Sequence, residues 1–175
     1  MSGAPIIRTT RLRLVPIHAE VLTSLLNGDV DGAGQLQGFS FPSAFLDSVN
    51  DTFLTNQLRN IELTSLGQDW SVRAVVRDED DAVIGQCGFH GPPEVIGRAE
   101  IGYTIFPDFR NHGYATEAVA GLTDLARVNG STVVFASVSS DNLPSIRVVE
   151  KAGFHRTGWQ KNRDDGEEYV FEKNL

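Results

Sequence analysis

The chain has 175 residues, 41% of them hydrophobic, which is enough to bury the core of one compact domain. Its formal net charge of −8 argues against a nucleic-acid-binding protein, because such proteins carry a basic face or stripe. No charged segment followed by an apolar stretch opens the chain, and it contains no run of about 18 apolar residues. We therefore expect a single domain over residues 1–175 in the cytoplasm, with neither nucleic acid nor a membrane as a partner.

The first elements follow from short, regular patterns. Residues 10–15 alternate charged and aliphatic side chains, which predicts a half-buried strand that Pro16 ends. Residues 18–26 carry Val and Leu at helical spacing and are followed by Asn and Gly, which predicts a short helix.

The next two segments differ in regularity. Residues 28–45 are rich in Gly and Phe and show no sustained period, which predicts a loop with a single helical turn. The Phe side chains of this loop either line a pocket or anchor it in the core, and the second alternative is favoured. Residues 47–66 carry an apolar stripe at helical spacing, so a helix capped by Asp47 or Ser48 and stopped by Gly67 is predicted.

The second half of the chain alternates strands and helices. Residues 70–77 and 82–90 predict a β-hairpin joined by a solvated acidic turn. The order of strands and helices along the whole chain predicts a mixed α/β fold with a largely antiparallel sheet. Its remaining predicted elements are a strand over 98–106, a helix over 116–128, a strand over 132–138, a helix that Asn142 caps and Gly153 ends, and strands over 154–159 and 168–173.

Residues 110–115, Arg-Asn-His-Gly-Tyr-Ala, form a turn between a predicted strand and a predicted helix. A glycine lets the backbone turn tightly, and the free N–H groups of a helix start, with the positive end of the helix dipole, favour an anion. This predicts a phosphate-bearing cofactor or substrate. A purely structural helix start is an equally weighted alternative at this point.

The single cysteine and the histidines carry no further site. Cys87 lies inside the apolar run 83–89, so it is predicted as a small core residue rather than a nucleophile, and no intrachain disulfide can form. The four histidines are scattered and no cluster has metal-ligand spacing, so no metal is predicted.

Two blocks carry a family resemblance. The run over residues 99–118, with its Arg-x-x-Gly-x-Ala turn, strongly resembles the acetyl-CoA-binding motif of the Gcn5-related N-acetyltransferases (GNAT). Residues 140–145 and 150–154, Ser-Asp-Asn-Leu-Pro-Ser and Glu-Lys-Ala-Gly-Phe, resemble the second block of that family in the correct order. The opening Thr-Arg-Leu-Arg-Leu of residues 10–14 and the Asn-x-x-Ser of the second block indicate the branch similar to ribosomal-protein alanine acetyltransferases (RimJ/RimL-like).

The resemblance spans nearly the whole chain and implies a single GNAT domain. Its fold would be a mixed, mostly antiparallel sheet whose two parallel strands, here 98–106 and 132–138, splay apart to admit acetyl-CoA. The implied function is acetyl-CoA-dependent N-acetyl transfer to a primary amine, either a protein N-terminus or a small amine. Dimers occur in such a family, but no heptad in this sequence establishes one.

The resemblance also assigns a cofactor cleft. Backbone N–H groups of the turn would cradle the pyrophosphate, and the strand backbone would pair with the pantetheine arm. Arg110 would contact phosphate or, with equal weight, pair with a surface carboxylate. His112 receives no proton-transfer role. The implied cofactor-binding residues are Tyr103, Thr104, Ile105, Arg110, Asn111, His112, Gly113, Tyr114, Ala115, Thr116, Asn142 and Ser145.

Catalytic candidates rest on the same resemblance. Many relatives use a Tyr on the second-block helix as the acid for the leaving thiolate, and here that position is Val149. Ser145 is the local candidate instead, unless it faces solvent or bonds to backbone. Glu100 is the candidate base, acting directly or through water, with His90, Asp141 and Glu168 as competitors. A backbone N–H near Ile105 would bind the oxyanion.

Two other functions are weighed against this one. The Val149 difference favours a catalytically silent acyl-CoA-binding or sensor module. A nucleotide-binding α/β protein is poorly supported, because no G-x-G-x-x-G follows a strand and no Walker-type Lys accompanies the turn. For the enzyme, residues 28–45 and the turn at 161–166 are expected to form the acceptor side, while the acceptor and the acyl chain length stay open.

Overall fold

The computed structural model describes residues 4–64, 67–96, 98–162 and 166–175. Within these residues one eight-stranded sheet runs through the molecule in the order β1-β2-β3-β4-β5-β6-β8-β7. Neighbouring strands pair antiparallel except β5 and β6, which are parallel. The strands are β1 (Ile7–Arg8), β2 (Leu12–Pro16), β3 (Val72–Arg77), β4 (Val83–Phe89), β5 (Ala99–Ile105), β6 (Val133–Ser139), β7 (His155–Asn162) and β8 (Gly166–Asn174).

Helices pack against this sheet and supply two clusters of buried side chains. One cluster joins the central strands to α6 and α7, and the other joins β3 and β4 to the helices of the N-terminal half. The helices are α1 (Ala19–Leu26), α2 (Val30–Gln37), α3 (Ser43–Asp47), α4 (Asp51–Leu63), α5 (Pro93–Ile96), α6 (Tyr114–Val128) and α7 (Leu143–Lys151), and a 3₁₀ turn covers Pro107–Phe109. The predicted mixed α/β fold is confirmed.

The parallel pair diverges almost at once. β5 and β6 pair only through Ala99 with Val134 and Glu100 with Phe135. Beyond these positions β5 stays paired with β4 as far as Ile105, while β6 stays paired with β8. The far half of β5 therefore has a free edge among the described residues, and the splayed gap that the resemblance implied is present.

Most predicted elements of the second half are confirmed. The hairpin of β3 and β4 turns over 78–81, and α6 buries Val119, Leu122 and Ala126 completely, the three residues predicted to share its inner face. Cys87 is fully buried on β4, as expected of a small core residue. The turn predicted after β7 includes 163–165, which lie outside the described residues.

The prediction of a loop over residues 28–45 is wrong, because α2 and α3 occupy most of it. The Asp29 side chain accepts a hydrogen bond from the N–H of Gly32 at 2.9 Å and caps α2. A Cβ on Gly32 would stand 2.0 Å from an Asp29 carboxylate oxygen, so glycine is what allows this cap. The Phe41 and Phe45 side chains are buried in the second cluster, so they anchor the segment in the core, which was the favoured alternative.

The predicted start of the next helix is also wrong. Asp47 is the last residue of α3, and the Ser48 hydroxyl donates to the Phe45 carbonyl at 2.7 Å. The cap of α4 is Asn50, whose side chain accepts from the N–H of Phe53 at 2.8 Å. The apolar stripe of the sequence therefore continues across a break between two helices.

Candidate functional site

The turn before α6 is built from left-handed backbone. Asn111 has φ of 65° and Gly113 has φ of 80°, and α6 begins at Tyr114. Such values favour glycine and are tolerated by asparagine. Gly113 provides no side chain to cap α6, so the first N–H groups of the helix are left for solvent or a ligand.

The N-terminal strand region braces this turn. The Glu117 carboxylate accepts from the Arg11 backbone N–H at 2.7 Å, from Arg11 Nε at 2.8 Å and from the Thr9 hydroxyl at 2.6 Å. Arg11 Nη1 also donates to the His112 carbonyl at 3.0 Å, and its guanidinium lies 4.5 Å from the centre of the Tyr114 ring. Arg11, which lies between β1 and β2, therefore ties the N-terminal segment to both the turn and the first residues of α6.

The ionisation of Glu117 reflects this bracing. Partial burial tends to raise the pKa of Glu117, but the hydrogen bonds from Thr9 and Arg11 and the charge of Arg11 outweigh it. The pKa of Glu117 is consequently lowered. The carboxylate is charged at neutral pH and sits in the first turn of α6, where a negative side chain is favourable.

The free edge of β5 presents a defined set of backbone groups. The Phe106 N–H donates to the Ile84 carbonyl at 2.9 Å, so Phe106 faces β4. Along an antiparallel strand this orientation alternates, and Thr104, two residues earlier, also faces β4. The N–H and C=O groups of Tyr103 and Ile105 therefore point towards the gap. Those of Tyr103 and the N–H of Ile105 are available to an added strand-like ligand, whereas the Ile105 C=O accepts from Arg110.

Two side chains at the gap are already engaged. Arg110 Nε donates to the Ile105 carbonyl at 2.9 Å, which holds this exposed arginine at the end of β5 rather than on a surface carboxylate. Asn142 Oδ1 accepts from the Ser145 N–H at 3.2 Å and caps α7. The sequence predicted that Asn142 would serve as a cap, and the structure shows that role.

Tyr103 and Ser145 meet across the gap. The Tyr103 hydroxyl lies 2.7 Å from Ser145 Oγ and 3.2 Å from the Ser145 carbonyl oxygen. Burial raises the pKa of Tyr103, and the hydrogen bond with Ser145 offsets only part of that rise. Ser145 therefore faces β5 and a protonated phenol.

Glu100 lies in a second polar group, at the point where β5 and β6 part. Ser137 Oγ donates to its carboxylate at 2.9 Å, and His90 Nδ1 lies 3.5 Å from its other oxygen. Burial tends to raise the pKa of Glu100, but hydrogen bonding and charge from His90, the Ser137 bond and the charge of Arg98 outweigh it. The pKa of Glu100 is lowered, so the carboxylate is ionised at neutral pH.

The competing carboxylates are arranged differently. Gln160 Nε2 donates to Ser137 Oγ at 3.1 Å and to Glu168 at 3.0 Å, so Glu168 joins the Glu100 group through two intervening side chains. Glu168 is buried, whereas Asp141 is exposed and accepts from its neighbour Ser139. Of the four candidate bases, the structure brings Glu100, His90 and Glu168 into one network.

The two catalytic candidates lie on opposite faces of β5. Side chains three residues apart on a strand face opposite sides, and Glu100 meets His90 while Tyr103 meets Ser145. A cavity of about 170 Å³ opens close to His90. Its lining comes from α4, β3, β4 and β5: Phe53, Gln57, Val72, Gln86, Gly88, Phe89, His90, Gly102, Tyr103 and Thr104.

The residues that line this cavity can be compared with the segments expected to form the acceptor side, 28–45 and 161–166. The lining contains no residue from the segment 28–45, because the aromatic side chains of that segment point into the core. Helix α4 stands at the cavity instead. The other half of the expectation, the turn at 161–166, lies partly outside the described residues.

The described part of the chain provides neither a metal site nor a membrane-spanning helix. No group of three or more His, Cys, Asp or Glu side chains there is placed to hold a metal ion. No helix there is both long enough and apolar enough to cross a membrane.

Sequence reasoning missed three functional contacts. From the sequence, Arg11 belongs to a predicted strand and to the Thr-Arg-Leu-Arg-Leu opening, with no contact to the turn, and Ser137 is only part of a strand. Tyr103 was assigned through its backbone, although its phenol makes the closest contact with Ser145. The Glu in the first turn after the glycine was the one available signal for the brace, since it needs a cationic partner.

Known proteins with related sequences and related folds are found. The uncharacterized N-acetyltransferase p20 of Bacillus licheniformis is 35% identical over 86 residues, 49% of this chain and 48% of that protein. The matched stretch therefore spans about half the length of such curated relatives. The microcin C7 self-immunity acetyltransferase MccE, solved in complex with acetyl-CoA and AMP, superposes with a TM-score of 0.67 at 14% identity, covering 100% of this chain and 98% of that one. RimL, a ribosomal L7/L12 alpha-N-protein acetyltransferase solved with coenzyme A, gives 0.65 at 18% identity and 98% coverage of each chain.

The family model is matched over most of the chain. The model described as the acetyltransferase (GNAT) domain matches residues 11–155, which include the splayed strands, the turn before α6 and all of α7. The chain therefore belongs to the GNAT acetyltransferase domain family.

Proposed function

We propose that this chain is an acetyl-CoA-dependent N-acetyltransferase that acts on a primary amine. One observation carries the proposal: the free edge of β5, opposite β6, leads directly to the uncapped N-terminus of α6. Acetyl-CoA has an extended, amide-bearing pantetheine arm joined to a pyrophosphate, so its arm matches the strand edge and its pyrophosphate matches the helix N-terminus. Family membership and the acetyl-CoA and CoA complexes of MccE and RimL support the same ligand.

The pyrophosphate and the pantetheine arm of the cofactor each have a counterpart in the site. N–H groups from Asn111 to Thr116 hold the pyrophosphate, favoured by the helix dipole. The outward backbone groups of Tyr103 pair with the pantetheine amides as an added strand would, which leaves the Ile105 N–H for the reacting thioester. Arg110, held at the Ile105 carbonyl, keeps its remaining N–H groups near the turn for phosphate.

The acceptor approaches from the other face of β5. The ionised Glu100 carboxylate, which contacts the cavity-lining His90, attracts an ammonium group towards the cavity. It accepts the proton that the amine must lose, directly or through water. The amine nitrogen attacks the thioester carbonyl carbon, and the Ile105 N–H at the gap stabilises the oxyanion. The carbon–sulfur bond then breaks and CoA leaves as the thiolate, which receives a hydrogen bond from Ser145.

The acceptor class is limited by the cavity. About 170 Å³ is below the range of drug-sized pockets, so the site holds the amine end of an acceptor rather than a large molecule. A peptide N-terminus and a small amine both meet this condition. The net charge of −8 suits cationic acceptors of either kind.

The surroundings of the enzyme are part of the proposal. We place it in the cytoplasm as one domain over residues 1–175, which the continuous sheet from β1 to β8 supports. A homodimer is proposed on the family resemblance, and the exposed edge strand β7, with Trp159 64% exposed, supports it. Sedimentation of the purified protein and of Trp159→Glu measures the oligomeric state.

Two measurements test the activity. Calorimetric titration with acetyl-CoA measures binding, and thiol release measures turnover against a panel of peptide N-termini and small amines. We expect micromolar or tighter binding, and turnover with at least one acceptor. Absence of both overturns the proposal.

A silent acyl-CoA-binding module is the second candidate, and one observation favours it. Val149, at the position where many relatives carry Tyr, is fully buried in the core, so α7 supplies no phenol to the gap. This candidate predicts acetyl-CoA binding without thiol release across the whole panel. Turnover with any amine excludes it.

A further inference from the structure

Building on the proposed function, we propose that Tyr103 is a positioning residue for the departure of CoA. Its phenol donates to Ser145 Oγ and thereby aims the Ser145 hydroxyl at the thioester sulfur. Helix α7 carries no tyrosine that could assist the leaving thiolate, and Tyr103 on β5 provides the phenol instead.

The geometry of the pair supports this role. The two hydroxyl oxygens are 2.7 Å apart, a distance at which either can donate, and the phenol can also donate to the Ser145 carbonyl at 3.2 Å. We assign the phenol proton to Oγ because that contact is the shorter of the two. A serine hydroxyl has one proton and two acceptor lone pairs. If the phenol occupies an acceptor position on Oγ, the serine proton remains free for a third group. That proton is what a leaving thiolate needs.

Both ends of the contact are fixed independently. Tyr103 is held by the pairing of β5 with β4, where it lies opposite Cys87. Ser145 is held because its N–H donates to the Asn142 cap of α7 at 3.2 Å. The phenol therefore sets the Ser145 rotamer and bridges the splayed edge of β5 and the first turn of α7.

The environment keeps the phenol a donor. Burial raises the pKa of Tyr103 above its ordinary value, so the hydroxyl holds its proton through the neutral range. Hydrogen bonds in a chain polarise one another, so the phenol strengthens the donor capacity of Ser145.

The step balances without a full proton transfer from either hydroxyl. The electron pair of the carbon–sulfur bond moves to sulfur, and the thiolate is stabilised by the Ser145 hydrogen bond. The amine proton passes to Glu100 and then to solvent. The thiolate takes a proton from solvent on release.

The test needs no acceptor. The pKa of the CoA thiol is measured in the binary complex by the ultraviolet absorbance of the thiolate, with desulfo-CoA as the blank. The proteins are the wild type, Tyr103→Phe, Ser145→Ala, the double variant, and Tyr169→Phe. Tyr169→Phe is the matched control, because it also removes a phenol hydroxyl. Tyr169 lies on β8, and its ring packs against the Arg156 guanidinium. Thermal melting of each variant reports folding.

We expect the thiol pKa in the wild-type complex to lie below that of free CoA. Tyr103→Phe should raise it by about one unit, the scale of one hydrogen bond to a charged group. Ser145→Ala should raise it at least as much, and the double variant no further, because Tyr103 acts through Ser145. Tyr169→Phe should leave it unchanged.

Several results overturn the inference. An unchanged thiol pKa in Tyr103→Phe removes the role, as does an additive effect in the double variant. If either result is found and CoA binds with normal affinity, the proposed acetyltransferase function is not affected. Binding of CoA to the wild type is measured first, because its absence would overturn both proposals. With an acceptor in hand, Tyr103→Phe should lower kcat and leave the KM for acetyl-CoA unchanged.

Discussion

Arg11 donates two hydrogen bonds to the Glu117 carboxylate, from its backbone N–H at 2.7 Å and from its Nε at 2.8 Å, although the two residues are 106 positions apart. Glu117 lies in the first turn of α6, three residues after the helix begins. The proposed pyrophosphate cradle is therefore held in place by the segment between β1 and β2. A change at this pair should affect the cradle without touching a ligand.

Glu117→Gln should destabilise the protein and weaken acetyl-CoA binding. The change removes the negative charge that accepts hydrogen bonds from Arg11 and Thr9. The free energy of unfolding should fall by about 1–2 kcal/mol, and the lower figure is expected because Arg11 is partly exposed. The pKa of Glu117 is lowered in the fold, so this stabilisation is present above the ordinary value of about 4.3 and disappears as the pH falls through the lower folded value. Urea denaturation of both proteins between pH 3 and pH 7 measures the difference. A difference that grows on acidification contradicts the assignment.

Gly113→Ala should weaken acetyl-CoA binding by up to about tenfold. Gly113 has φ of 80°, and a side chain in left-handed backbone costs about 1–2 kcal/mol, which the turn can relieve only by moving the N–H groups. Calorimetric titration measures the loss. The matched control is Gly130→Ala, beyond the other end of α6, where φ is 84° and nothing lies within 4 Å of an added Cβ. It should lower the melting temperature similarly and bind acetyl-CoA normally, and equal weakening of binding in both variants would refute a local role.

The sequence predicted the elements whose patterns are local. The alternation in β2, the hairpin of β3 and β4, and the inner face of α6 are visible within a few residues. It failed at α2, where Gly32 and Gly34 lower the helix propensity and the helix depends on the Asp29 cap and on burial of Ala33. Tertiary packing outweighed local propensity there.

The candidate site divides in the same way. The turn before α6 has a sequence signature because its glycine is required by the backbone. The contact of Tyr103 with Ser145 joins residues 42 positions apart, and it exists because β5 and β6 separate after two paired positions. No pattern within the sequence specifies where two parallel strands part, so contacts across the gap could not be predicted.

Cys87 should be inert in the folded protein. It is fully buried, and burial raises its pKa to about 12, so almost no thiolate exists at neutral pH. Ellman's reagent should find no protein thiol in the native state and one after denaturation. This also makes thiol release a clean assay of CoA. Rapid labelling of the native protein would show that β4 opens on the timescale of the assay.

Glu100→Gln should lower kcat by about a hundredfold at saturating acetyl-CoA, because the amide cannot accept the proton of the acceptor. Glu168→Gln is the informative comparison, since Glu168 belongs to the same network but reaches Glu100 only through Gln160 and Ser137. We expect a smaller loss in that variant. Because the pKa of Glu100 is lowered, its carboxylate is ionised well below neutral pH, so the rate should still rise with pH as the acceptor loses its proton. A hundredfold loss in Glu168→Gln together with near-normal turnover in Glu100→Gln would transfer the role of base to Glu168.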